Sequence, residues 1–90
     1  MKIVAICGAG IGSSGILKIN AERVLKRLEV EADVTAADLA SLASASVGAQ
    51  IILTSSEFVD AIGKTFADVI VIDNYFDTRE LTEKLSAALL

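Results

Sequence analysis

The chain has 90 residues, 53% of them hydrophobic but only 4% aromatic, with 8 basic residues against 12 acidic ones for a net charge of −4. A chain this short buries only about two thirds of its unfolded surface, so residues 1–90 are expected to form one domain with an aliphatic core and no second, cofactor-sized lobe. The acidic balance argues against general nucleic-acid binding, and a single cysteine with no histidine excludes an internal disulfide and disfavours a metal site, so neither metal nor cofactor is expected.

In chain order, the apolar run Ile3 to Ile6 predicts a strand buried on both faces. It runs into Cys7 and the glycine-rich stretch Gly8-Ala9-Gly10-Ile11-Gly12-Ser13-Ser14. From about Ser13 to Leu28, residues Leu17, Ala21, Val24 and Leu28 recur at helical spacing. Ala32 to Ala36 reads as a second strand, and Asp38 caps a short helical or looped stretch through Ser46 that ends at Gly48. Ile51 to Leu53 forms the third strand, followed by a helix that Ser55 or Ser56 caps, that carries Phe58, Val59 and Ile62, and that Gly63 stops. Val69 to Ile72 is the fourth strand. Asp77 with Glu80 three residues on has the form of a capping box, and Leu81, Leu85 and Leu89 line a final helix.

Strands alternating with helices imply an α/β fold, a small doubly wound parallel sheet covered on both faces. Right-handed crossovers give four strands in the order 2-1-3-4. Ligands bind such sheets at the carboxyl ends of the strands where the order switches, here between strands 1 and 3. Cys7 stands there, and the loops Thr54-Ser55-Ser56 and Asn74-Tyr75-Phe76 emerge on the same edge.

A stretch without side chains brings backbone N–H groups close to a ligand, and the helix start adds unpaired N–H groups and partial positive charge; together they suit a phosphate-sized anion. The same groups ease deprotonation of the Cys7 thiol. Its placement against the glycine run argues against the usual fate of a free cysteine, a small buried hydrophobe. Residues 1–28 carry Lys2, Lys18, Arg23, Lys26 and Arg27 against Glu22 alone, while the remainder has 3 basic and 11 acidic residues. That asymmetry either sets a positive field around Cys7 or reflects a solvated helix end.

Gly10 to Gly15 also satisfies the G-x-G-x-x-G dinucleotide pattern, with Asp33 and Asp38 downstream. A full dinucleotide fold, however, needs about six strands and leaves Cys7 unused. The cysteine and its turn suggest a low-molecular-weight phosphatase, but Ser13 stands where the phosphate-gripping arginine belongs. The loop can therefore hold a phosphoryl group on sulfur and is poorly equipped to hydrolyse it. Two other readings stay open: an anion or nucleotide module with an inert cysteine, and a redox thiol that lacks a resolving cysteine.

Cys7 to Ser14, together with Leu17-Lys18-Ile19-Asn20, Ile51 to Ser55 and Val71 to Tyr75, resembles the IIB component of the bacterial phosphoenolpyruvate-dependent sugar phosphotransferase system, nearest to its ascorbate/galactitol type within the lactose/cellobiose-like group. Ala9 and Gly15 depart from the usual family pattern. The resemblance implies a cytoplasmic phosphoryl carrier without membrane insertion. Its Cys7 takes a phosphoryl group from a histidine of a IIA protein and passes it to a sugar, ascorbate-like or an alditol, held by a membrane IIC protein. Cys7 is then the nucleophile, forming a phosphocysteine, and Gly8, Ala9, Gly10, Ile11, Gly12, Ser13 and Ser14 bind the phosphate. Ser13 and Ser14 act as hydroxyl donors or helix caps. Lys18 approaches the phosphate or stays solvated, Tyr75 and Phe76 dock partners or cover the core edge, and Asn20 is structural.

Overall fold

The structure, a computed structural model, describes the backbone of residues 1–7 and 12–89 and the side chains of residues 1–6 and 15–89. Four strands, β1 (Lys2–Cys7), β2 (Asp33–Asp38), β3 (Ile51–Thr54) and β4 (Asp68–Val71), form one parallel sheet in the order β2-β1-β3-β4. This is the order read from the sequence. Between the strands lie α1 (Gly12–Arg27), a 3-10 turn Leu39–Ser41 running into α2 (Leu42–Ala45), and a second 3-10 turn Ser56–Phe58 running into α3 (Val59–Ile62); α4 (Thr78–Leu89) follows β4.

The central strands explain the uninterrupted apolar runs. Successive side chains alternate between faces, and Ile3, Val4, Ala5 and Ile6 are all fully buried. Ile3 and Ala5, with Ile51 and Leu53, meet Leu17, Ala21, Val24 and Leu25 of α1 and Leu81 and Leu85 of α4. Val4, Ile6 and Ile52 face the other way, against Ile62 and Ala67, with Leu39, Leu42, Ala45 and Phe58 partly buried around them. Burying one leucine or isoleucine contributes roughly 1.5–3 kcal/mol, so these two layers dominate the fold's stability.

The edge strands depart from the reading of strands covered on both faces. β2 has one neighbour, and among its residues only Val34 is buried, while Thr35 is exposed. Its span also runs later than Ala32 to Ala36, because pairing is a backbone property: the ladder with β1 continues past the apolar residues to Cys7 and Asp38. β4 begins at Asp68 rather than Val69, and Ile72 still donates its N–H to the Thr54 carbonyl at 2.7 Å.

Side-chain caps form at some of the predicted helix starts and not at others. The Asp38 carboxylate accepts the Ser41 N–H at 2.9 Å, as a cap does. Ser55 precedes the second 3-10 turn but makes no side-chain cap bond; its hydroxyl turns to the Glu57 carboxylate at 3.2 Å. At α4, Asp77 accepts the Arg79 and Glu80 N–H groups at 3.0 and 3.2 Å, which is half of a capping box. Glu80 does not return the bond: the Asp77 N–H goes to the Asn74 carbonyl at 3.0 Å, and Glu80 receives the Asp73 and Asn74 N–H groups at 2.8 and 2.9 Å instead.

Candidate functional site

Cys7 is the last residue of β1 and stands in register with Asp38 of β2. On the other side the β1–β3 ladder ends earlier, at Ala5 and Leu53. The chain leaves β1 for α1 and β2 on one side, and β3 lies on the other, so Cys7 occupies the switch point at the carboxyl edge. α1 begins at Gly12, which puts Ser13 and Ser14 in its first turn, with no acidic residue among them. The candidate phosphate ligands Gly8, Ala9, Gly10 and Ile11 lie outside the described residues. The side chains of Cys7, Ser13 and Ser14 do so too.

The basic residues of the N-terminal segment are spread along it. The Lys2 ammonium, at the amino end of β1, donates to the Val47 carbonyl at 2.8 Å. Lys18 pairs with Glu22 at 3.1 Å on an open surface. Lys26 and Arg27 are exposed in the last turn of α1, some 20 Å along the helix from its start, where they complement the negative end of its dipole. Of the two readings of this charge asymmetry, the solvated helix end fits Lys26 and Arg27.

The loops after β3 and β4 do reach this edge. Thr54, completely buried, donates its hydroxyl to the Ile6 carbonyl at 3.3 Å. The phenol of Tyr75 donates to the same oxygen at 3.4 Å. Asn20, on α1 and 8% exposed, donates its side-chain amide to the Tyr75 carbonyl at 2.8 Å, which gives the residue the structural role read for it. Tyr75 packs against the core, whereas Phe76 is 71% exposed. The meeting of Thr54 and Tyr75 on one carbonyl escaped sequence reasoning; the only hint was a threonine closing the run Ile51-Ile52-Leu53. Among the described residues no cluster of three carboxylate, thiol or imidazole groups could hold a metal ion. No helix of the described residues is long and apolar enough to cross a membrane.

A parallel four-stranded sheet with a cysteine at its switch point describes a class of small α/β proteins, and the fold has a solved counterpart. The lactose-specific IIB component domain of the phosphoenolpyruvate:carbohydrate phosphotransferase system from Streptococcus pneumoniae is similar with a TM-score of 0.66, covering 99% of this chain and 94% of that one at 16% identity. In sequence, the ascorbate-specific phosphotransferase system EIIB component of Mycoplasma pneumoniae is 29% identical over 90 residues, 99% of this chain and 95% of that protein. Residues 2–87 match the family model of the phosphotransferase system lactose/cellobiose-specific IIB subunit. The chain belongs to this family of IIB components, whose members take part in phosphoryl transfer within sugar-transporting phosphotransferase systems.

Proposed function

We propose that this IIB component carries the phosphoryl group on Cys7. The observation that supports this reading is the position of Cys7: the last residue of a central strand, at the sheet's switch point, a few residues before α1 starts at Gly12. The thiolate attacks phosphorus in line, the S–P bond forms as the P–N bond to a phosphohistidine of a IIA protein breaks, and the electron pair returns to the imidazole nitrogen. The backbone N–H groups of Gly8 to Ser14 and the positive end of α1 neutralise the equatorial oxygens, a task of positioning and electrostatics. A sugar hydroxyl then attacks phosphorus, its proton passing to a base supplied with the sugar, and the S–P bond breaks to regenerate the thiolate. The acceptor sugar is held by a membrane IIC protein. The name of the Mycoplasma relative favours an ascorbate-type substrate, and the setting is cytoplasmic.

The test is phosphoryl transfer from phosphoenolpyruvate through the general carrier proteins and a IIA protein, read by intact mass on wild type and Cys7→Ser. Addition of one phosphoryl group to wild type alone is the expected result. No addition from a IIA protein that is itself phosphorylated overturns the proposal.

A further inference from the structure

The hydroxyls of Thr54 and Tyr75 meet on one atom, the Ile6 carbonyl oxygen, at 3.3 and 3.4 Å. That oxygen belongs to the planar peptide joining Ile6 to Cys7, so holding it fixes the direction in which the Cys7 Cα leaves the strand. Backbone pairing does not supply this hold on the β3 side, because the β1–β3 ladder ends at Ala5. On the β2 side it does, through the register of Cys7 with Asp38. The two hydroxyls complete the grip on the strand end from the β3 side, on a carbonyl whose two lone pairs can accept two donors.

Packing alone does not account for the hydroxyl of Thr54. The residue is wholly buried at the end of an apolar run, where valine has the same shape and no polar group to satisfy. Tyr75 adds a second linkage. Its carbonyl is held by Asn20 of α1 at 2.8 Å while its phenol holds the carbonyl of Ile6. Tyr75 thus ties the end of β1 to α1, the two elements that flank the loop after Cys7.

We propose that Thr54 and Tyr75 are positioning residues for Cys7: by clamping the Ile6 carbonyl they set the geometry between the thiol and the start of α1. The proposal rests on the reading of Cys7 as phosphoryl acceptor. Such preorganisation matters because misplacing a nucleophile by a fraction of an ångström costs rate without unfolding the protein.

The experiment compares wild type with Thr54→Val, Thr54→Ser, Tyr75→Phe and the Val/Phe double variant. Three readouts are taken: the single-turnover rate of phosphoryl acceptance from a charged IIA protein, the pH profile of Cys7 alkylation by iodoacetamide, and thermal unfolding. Thr54→Val and Tyr75→Phe are expected to slow acceptance about tenfold each and to move the alkylation midpoint. The double variant loses less than the product of the two, since both act on one oxygen. Thr54→Ser, which keeps the hydroxyl, stays within about twofold of wild type. Folded Val and Phe variants with the wild-type rate and alkylation profile overturn the proposal, and so does a Ser variant as slow as Val. A wild-type chain that takes no phosphoryl group from a charged donor sinks the acceptor reading instead. The alkylation profiles then still decide whether the clamp positions the thiol.

Discussion

The N–H of Val30 donates to the carbonyl of Leu25 at 3.0 Å, while the N–H of Glu29 donates to that of Lys26 at 3.2 Å. These two bonds close α1 in a Schellman turn, with Glu29 in the left-handed conformation at φ 59°. Val30 and Leu25 both join the core beneath α1, the apolar contact this turn usually carries.

A left-handed residue with a side chain costs about 1–2 kcal/mol, and a carboxylate at a helix C-terminus faces the wrong end of the dipole. Glu29→Gly is therefore expected to stabilise the protein, by up to about 1 kcal/mol once the unfolded-state entropy of glycine is subtracted. Thermal unfolding checks this as a midpoint raised by a few degrees. A lowered midpoint contradicts it.

Asn20→Leu keeps the side-chain volume but removes the amide that Tyr75 accepts at 2.8 Å. Losing a buried hydrogen bond of this kind costs about 1–2 kcal/mol. Urea denaturation is expected to show a lower midpoint with an unchanged slope. A midpoint equal to wild type means the bond contributes nothing to stability.

Glu80 titrates below its ordinary value. Burial is the largest single influence and pushes the other way, but it is outweighed by hydrogen bonds from the Asp73 N–H, the Lys84 ammonium and the Asn74 N–H, together with the charge of Lys84. Lys84 lies 2.6 Å from the carboxylate. A carboxyl with a depressed folded pKa contributes stability that is complete above its unfolded value, about 4.3, and is lost as pH falls through the folded one. Glu80→Gln is expected to remove that contribution and flatten the acid limb of the stability profile. Parallel acid limbs for the two proteins refute the assignment.

The strand order was legible because the two central strands are uninterrupted apolar runs set between helical patterns, so Ile3 to Ile6 and Ile51 to Leu53 announce themselves. Where an element depends on backbone pairing or conformation, the residues are silent. Nothing in its type marks Asp38 as the end of a ladder, and glutamate carries no signal for the left-handed turn at Glu29. Asp77 was legible as a cap because the N–H groups it accepts lie two and three residues on; the backbone N–H groups that bond Glu80 lie six and seven residues back, across a loop. At the carboxyl edge, the sequence brings the loops after β3 and β4 to the neighbourhood of Cys7. The single oxygen on which they meet is set by contacts across 48 and 69 residues, which no local pattern encodes.

The two sides of the sheet are insulated unequally. One is roofed by helices of 16 and 12 residues; the other is covered by helical segments of only three or four residues each. Segments that short do not sustain themselves, so spontaneous opening is expected to concentrate on that side. Amide exchange is then expected to be faster over residues 39–45 and 56–62 than over α1 and α4.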